Sequence, residues 1–227
     1  MLQEDAFQLY VLKDETTEFK SYTYAILDQA THELLIIDPS CEKEKLSTLI
    51  ASTHAIPRYI LLTHTHLDHI RQLEWLRTTY PMQVCLAEAE AQYYDFYVPN
   101  MLCLQDGMQL HLGETIVTAL HTPGHSKGSM CYQIGQNLFT GDTLFIEGCG
   151  LCTAPGGSPD EMYASLQKLK QLLTKDTIIY PGHRYQAELG QTLQYVLEHN
   201  IYMVIEDLPT FIRFRMRKNQ VKLYDFQ

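Results

Sequence analysis

The sequence predicts an α/β fold with layered sheets, on three observations. Short apolar runs typical of strands alternate with amphipathic patterns typical of helices along the whole chain. The 227 residues are 45% hydrophobic and 19% charged, which allows a sizeable core and excludes a disordered chain. No Pro- or Ser-rich linker, low-complexity segment or internal repeat divides the chain. We therefore expect one domain over residues 1–227, of which about 200–227 form a short C-terminal appendage.

The predicted strands are short segments rich in β-branched, aromatic and other apolar residues, which suit the half-buried surface of a sheet. In chain order they are Phe7–Leu12, Tyr22–Leu27, Leu34–Ile37, Tyr59–Leu62, Val84–Ala87, Ile116–Leu120, Met130–Ile134, Leu138–Phe139 and Thr177–Tyr180.

Five segments carry the helical period of apolar residues. They are Glu42–Ala51, Ile70–Thr79, Glu88–Tyr94, Pro159–Leu173 and Ala187–His199. The fourth has the clearest start, because Ser158 can cap its N-terminus and Pro159 suits the first helical turn. Leu166, Leu169 and Leu173 then recur on one face of this helix.

Charge and hydropathy exclude several classes of protein. The net charge of −10 argues against general nucleic-acid binding, which needs clustered Lys and Arg side chains. The longest apolar run, Ile201–Ile205, is far shorter than the roughly 20 residues of a membrane span. The acidic N-terminus differs from a signal peptide, and six cysteines are too few for a disulfide scaffold. We expect a cytoplasmic protein with no membrane or nucleic-acid partner.

The residues most suited to chemistry directly follow the predicted strand Tyr59–Leu62. Four metal-competent side chains lie close together there: His64, His66, Asp68 and His69. Alternation places the first three on one side of an extended segment, and a turn can bring the fourth beside them. The alternative is a solvated polar loop that happens to be rich in histidine.

Three further candidate ligands each follow a glycine at the end of a predicted strand. They are His125, Asp142 and His183. Glycine permits the sharp turn that aims such a side chain, and the shared context distinguishes these three from ordinary turn residues. Among the other histidines, His121 is the strongest candidate. Cys149 and Cys152 form a Cys-x-x-Cys pair in the Gly-rich segment 147–158, which is a weak signal for a redox or metal site.

The spaced motifs resemble those of the metallo-β-lactamase superfamily, and within it the hydroxyacylglutathione hydrolase (glyoxalase II) branch. The resemblance runs from the strand before His64 to just beyond His183 and includes segments 120–126, 138–145 and 148–150. It implies a four-layer αβ/βα sandwich with a two-metal site at one edge.

The resemblance also implies a ligand set for two metal ions. The implied ligands are His64, His66 and His125 for one ion, Asp68, His69 and His183 for the other, and Asp142 as the bridge. Two metal ions about 3.5–4 Å apart lower the pKa of a shared water to about 7, and the resulting hydroxide can attack a carbonyl. Asp68 would orient that hydroxide as the catalytic residue. We expect two Zn²⁺ per chain, although a site of nitrogen and oxygen ligands also accepts Fe or Mn.

Thioesters suit such a site, because a thiolate with a conjugate-acid pKa of about 8.5 departs without a strong general acid. Glutathione-using relatives carry a basic residue after the segment 148–150, where this chain has Leu151, and they extend further beyond His183. The overall match is closer to the zinc-dependent hydrolases of bacterial trans-acyltransferase polyketide clusters of the bacillaene type. That resemblance implies hydrolysis of acyl-phosphopantetheine thioesters on acyl carrier protein.

Carrier proteins are usually acidic, so a basic cluster near the C-terminus is a candidate docking surface. The predicted docking residues are Arg213, Arg215, Arg217 and Lys218. The alternative is a solvated charged face without a partner.

Other functions remain open from the sequence. The same site could hydrolyse glutathione thioesters or lactones. Oxygen-reducing di-iron relatives have a carboxylate where His66 stands and add a flavin domain, for which this chain has no room. A silent metal-binding module would be expected to have lost ligands, and none of the seven candidates is missing.

Overall fold

The computed structural model describes residues 6–218, 220 and 226–227, and within them it contains two six-stranded sheets. The first sheet has its strands in chain order: β1 (Phe7–Lys13), β2 (Tyr22–Asp28), β3 (Glu33–Ile37), β4 (Ile56–Leu61), β5 (Gln83–Ala87) and β6 (Met101–Leu104). The second sheet also follows chain order: β7 (Gln109–Leu112), β8 (Thr115–His121), β9 (Met130–Ile134), β10 (Asn137–Gly141), β11 (Ile178–Pro181) and β12 (Gln191–Thr192). Both sheets are mixed, with parallel pairs from β3 to β6 and between β10 and β11.

The helices pack on the outer faces of the sheets. They are α1 (Lys43–Ser52), α2 (Leu73–Thr79), α3 (Glu88–Tyr94), α4 (Pro159–Leu172), α5 (Leu193–His199), α6 (Ile201–Val204) and α7 (Leu208–Arg215). Apolar side chains of α1 and α2 pack on the first sheet, and those of α4 to α7 pack on the second. A third cluster, which contains Ile26 and Phe139, fills the space between the sheets. The predicted αβ/βα sandwich of four layers is thereby confirmed.

The element predictions hold where the apolar pattern is long. Ser158 caps α4 as predicted, since its hydroxyl accepts a hydrogen bond from the Glu161 amide at 3.2 Å. Two predicted helices start too early. Residues 70–72 form turns before α2, where the Gln72 amide donates to the Pro39 carbonyl. The last predicted helix begins only at Leu193, because residues 191–192 pair with β11.

Five elements were not predicted from the sequence: β6, β7, β12, α6 and α7. The two last helices belong to the predicted C-terminal appendage, and their apolar residues are part of the core beneath the second sheet. Tyr202, Met203 and Phe211 are all buried there. Within the described residues, no helix combines the length and the apolar character that crossing a membrane requires.

Candidate metal centre

All seven predicted ligands lie at one edge of the sandwich, where strands of both sheets end. They follow β4 (His64, His66, Asp68 and His69), β8 (His125), β10 (Asp142) and β11 (His183). The glycines before the last two ligands are needed for close approach. Gly141 has a φ of +48°, and a Cβ on Gly182 would lie 2.7 Å from Asp142 Oδ1.

Three histidines form the first group of ligand atoms. His64, His66 and His125 offer nitrogens that all lie within 4.8 Å of one another. The Nε2 atom of His125 is 2.9 Å from Nδ1 of His66. The Nδ1 atom of His125 lies 2.8 Å from the Leu151 carbonyl, which can only accept, so this nitrogen carries the proton. Nε2 of a neutral His125 therefore directs a lone pair into the group.

A second group combines two histidines with a carboxylate. The ligand atoms of Asp68, His69 and His183 also lie within 4.8 Å of one another. His183 Nε2 is 3.2 Å from the Asp68 carboxylate and 3.2 Å from His69 Nε2. Nδ1 of His183 is 2.8 Å from the Phe19 carbonyl, so it is the protonated nitrogen and Nε2 faces the group.

Asp142 lies between the two groups and faces both. Its Oδ1 atom is 3.4 Å from His69 Nε2 and 3.6 Å from His183 Nε2, whereas Oδ2 is 3.5 Å from His125 Nε2. One carboxylate therefore presents one oxygen to each group, which is the arrangement expected of a bridging ligand.

The ionisation of these side chains suits cations. Burial lowers the pKa of His125 to about 4, so this imidazole is neutral at pH 7. Burial raises the pKa of Asp68, but His69 and His183 outweigh burial and hold it at about 2. Burial also opposes ionisation of Asp142, yet the facing imidazoles of His183 and His69 bring its pKa well below the usual value. Both carboxylates are therefore charged at neutral pH.

The residues fit a pair of metal ions. Within the part of the chain that the structure describes, His64 Nε2 and Asp142 Oδ1 are buried without a hydrogen-bond partner. Burial lowers the pKa of His69, but Asp68 and Asp142 outweigh burial and raise it well above the usual value, so the carboxylates favour positive charge here. Metal ions supply that charge and leave no buried lone pair unsatisfied. Imidazole and carboxylate ligands suit Zn, Fe or Mn.

Asp38 orients the ligand-bearing loop that follows β4, and this role was not predicted from the sequence. Its carboxylate accepts hydrogen bonds from the Thr63 amide at 2.7 Å and the Thr63 hydroxyl at 2.6 Å, and lies 2.9 Å from His69 Nδ1. This contact directs His69 Nε2 towards the centre. The available signal was position, since Asp38 directly follows β3 at the same edge of the sheet.

Glu90 joins the two loops that carry the first group of ligands, and it too was missed. One carboxylate oxygen accepts from the Thr65 amide and hydroxyl, both at 2.9 Å. The other accepts from the Ser126 hydroxyl and the Gly128 amide, both at 2.8 Å. Glu90 is fully buried on α3, where nothing in the sequence distinguishes it from the acidic residues beside it.

A cavity of about 290 Å³ opens beside the ligands, and Asp68, Asp142 and His183 form part of its wall. Most of the other lining residues are apolar or aromatic, among them Phe145 and Leu151. The cavity thus combines charged metal ligands with an apolar wall, as is common in sites that bind small substrates.

The predicted docking patch requires one correction. Arg213, Arg217 and Lys218 are exposed, but Arg215 is buried and lines the cavity. Arg215 points inwards because the last turn of α7 packs it against Tyr202 and the Cys149 carbonyl.

Two weaker candidates do not join the centre. His121 and the Cys-x-x-Cys pair are absent from the metal-competent groups found among the described residues. Cys149 and Cys152 are buried, and burial raises the pKa of each thiol to about 12. Both therefore remain protonated and unreactive at neutral pH.

The family follows from this fold, this centre and one comparison. Residues 16–183 match the family described as the Metallo-beta-lactamase superfamily. The chain belongs to that superfamily.

Two similar proteins match it almost from end to end. The probable polyketide biosynthesis zinc-dependent hydrolase PksB of Bacillus subtilis is 34% identical, over 97% of this chain and 98% of its own. The corresponding BaeB of Bacillus velezensis is 35% identical, over 99% of this chain and 100% of its own. Among solved structures, ETHE1 from Myxococcus xanthus has a TM-score of 0.83 and 26% identity, and the match covers 94% of this chain and 92% of that one.

Proposed function

We propose that this protein is a dinuclear metal-dependent thioesterase that releases acyl groups from acyl carrier protein in polyketide biosynthesis. His64, His66 and His125 would hold one ion, and Asp68, His69 and His183 would hold the other. Asp142, which faces both groups, would serve both ions.

The observation that carries the proposal is the extent of the match. The chain covers nearly the whole length of the two polyketide biosynthesis hydrolases. By contrast, it covers only 65% of the cytoplasmic hydroxyacylglutathione hydrolase of Arabidopsis thaliana, at 32% identity. Similarity that extends through the C-terminal segment supports a shared substrate class better than similarity confined to the metal-binding part.

The metal ions are expected to be Zn²⁺, in keeping with the names of PksB and BaeB. Iron remains a second candidate, because TTHA1623, at 29% identity and a TM-score of 0.70, was solved in a di-iron-bound form. When bound, the metal ions supply Lewis-acid chemistry that activates water and polarises the thioester carbonyl.

The chain's own groups complete the reaction. Asp68 lines the cavity with its side chain 21% exposed, and its carboxylate can accept a hydrogen bond from the attacking water and orient it. A carbon–oxygen bond forms at the acyl carbon, the carbon–sulfur bond breaks, and the proton of water ends on the thiol. The apolar wall around Phe145 and Leu151 receives the acyl chain and excludes bulk water.

Glutathione thioesters remain the second candidate substrate, and one observation favours them. Arg215 places a cationic side chain in the cavity. Glutathione-using relatives are expected to carry a basic residue as well, after the segment that corresponds to 148–150. A silent metal-binding module is disfavoured, because the structure brings all seven candidate ligands to one edge.

The proposal predicts a substrate preference. Metal-replete protein should release thiol from acetyl-acyl carrier protein at least about 100-fold more efficiently than from S-lactoylglutathione, a difference of roughly 2.7 kcal/mol in transition-state stabilisation. The measurement is kcat/KM for both substrates, with Asp68→Ala as the control that should be inactive on both. Faster hydrolysis of the glutathione thioester would contradict the carrier-protein assignment, and activity on neither would contradict the thioesterase itself.

Carrier-protein docking makes a separate prediction. The exposed side chains Arg213, Arg217 and Lys218 form the docking patch, and their joint replacement by glutamate should raise KM for the carrier-bound substrate about tenfold. The effect should weaken at high salt, because it depends on screened surface charges. KM for a small pantetheine thioester should not change. An equal loss on both substrates would show that the patch supports the fold and does not dock a partner.

A further inference from the structure

Arg215 is a buried cation at the end of α7, with only 3% of its surface exposed. Its Nη1 donates to the Cys149 carbonyl at 3.3 Å and to the Tyr202 hydroxyl at 3.0 Å, and its Nη2 donates to the Gln220 side chain at 3.3 Å. The guanidinium also lies 5.3 Å from the centre of the Tyr202 ring. All of these partners are neutral.

The charge of Arg215 has no counter-ion in the part of the chain that the structure describes. No ion pair within 4.0 Å joins it to a described carboxylate, and its Nε is buried without a hydrogen-bond partner. A guanidinium remains charged at any physiological pH, so burial without a carboxylate is costly. Such an arrangement is expected where the compensating anion arrives with a ligand.

The position of Arg215 shows where that anion would sit. Arg215 lines the same cavity as the metal ligands, and among the described lining residues no other Lys or Arg occurs. The carbonyl that it contacts belongs to Cys149, and the next residue, Gly150, touches the centre. A Cβ on Gly150 would lie 2.8 Å from His125 Nδ1 and 2.1 Å from the Asp142 carbonyl. The residue whose carbonyl Arg215 contacts is therefore adjacent in sequence to one that packs closely against two of the metal ligands.

We propose that Arg215 binds a carboxylate on the acyl group of the substrate, so that the enzyme prefers thioesters of short dicarboxylic acids. The inference rests on the proposed thioesterase function. The pantetheine arm carries no charge near its sulfur, and its phosphate lies many bonds away. We therefore assign an anion that Arg215 binds inside this cavity to the acyl side of the thioester. The apolar surroundings strengthen such a charge-assisted pair, because water does not screen it.

The test compares two pantetheine thioesters of equal chain length, succinyl-pantetheine and butyryl-pantetheine. Wild-type, metal-replete protein should show a kcat/KM 10- to 100-fold higher for the succinyl thioester, the range of a hydrogen bond to a charged group. Arg215→Met should remove this preference, chiefly by raising KM for the succinyl thioester. Arg215→Lys keeps the charge and should retain part of the preference. Arg58→Met, an exposed arginine on β4, is the matched control and should keep the wild-type ratio.

Each alternative gives a different result. Equal wild-type rates on the two thioesters would overturn the inference and leave the thioesterase proposal intact. An equal loss on both substrates in Arg215→Met would show that Arg215 only positions the loop around Cys149. If Arg215→Met instead impaired only glutathione thioesters, the carboxylate would belong to the thiol side, and the inference would be wrong. Hydrolysis of neither pantetheine thioester would overturn the proposed function, and this inference with it. If Arg215→Met does not fold, the test still rests on two measurements: the ratio of kcat/KM for the succinyl and butyryl thioesters in the wild-type protein, and the same ratio in Arg215→Lys.

Discussion

Replacement of Asp142 by asparagine is expected to lower kcat/KM for thioester hydrolysis by more than about 10³-fold, since a metal ion contributes several kcal/mol of transition-state stabilisation. The carboxylate directs Oδ1 to the pair His69 and His183, and Oδ2 to His125. An amide of the same shape offers an oxygen to only one of the two groups and presents N–H donors to the other. It also removes the negative charge that this carboxylate would offer to metal ions held by both groups.

The same variant should hold less metal, which can be measured by elemental analysis after dialysis, without any substrate. The control is Asp106→Asn, since that carboxylate is half-exposed and pairs with Lys168 away from the ligands. It should keep wild-type metal content and an activity within about twofold, as expected for a surface change. If Asp142→Asn kept full metal content and activity, the bridging position of Asp142 would be refuted.

Replacement of Glu90 by glutamine is expected to lower the free energy of unfolding by about 2–6 kcal/mol. Each oxygen of the buried carboxylate accepts two hydrogen bonds, from Thr65 on one side and from Ser126 and Gly128 on the other. Glutamine turns one of these oxygens into an NH₂ group that faces two donors. Each donor left unsatisfied costs about 1–3 kcal/mol. Chemical denaturation of the metal-free protein measures this effect separately from metal binding.

Glu88→Gln is the matched control, because Glu88 lies on the same helix and accepts hydrogen bonds from the Gln92 and Gln105 side chains at the surface. Glu88→Gln should lower the free energy of unfolding by less than about 1 kcal/mol. Glu90→Gln should also weaken metal binding about 10- to 100-fold, the usual effect of losing a group that holds ligands in place. Equal stability of the two variants would show that Glu90 does not join the ligand loops.

The local signals in this chain predicted most of the fold. Every predicted strand corresponds to an observed one, because apolar, β-branched and aromatic residues are concentrated in these segments. Local sequence patterns did not predict an element that is very short. The strand β12 has only two residues and exists because β11 offers an edge to pair with. No propensity rule can identify such a strand.

The candidate site divides in the same way. The cluster from His64 to His69 and the glycines before Asp142 and His183 are local patterns, so their chemistry can be predicted from neighbouring residues alone. The positions of Asp38 and Glu90 cannot, because their partners lie 25 to 38 residues away along the chain. The pairing of β3 with β4 in the first sheet brings Asp38 to Thr63 and His69. The packing of the two sheets brings Ser126 and Gly128 to Glu90.

Arg215 shows most clearly which side-chain positions cannot be predicted from the sequence. The sequence determined that a basic cluster exists near the C-terminus, and charge alone suggested an exposed surface for all its members. Only the tertiary structure decided that one of them turns inwards. The last turn of α7 packs on the second sheet, and Arg215 then reaches the Cys149 carbonyl, 66 residues away along the chain. The metal ligands can thus be predicted from short motifs. The side chains that orient those ligands or line the cavity are brought into place by contacts between residues distant in sequence, and only the tertiary structure identifies them.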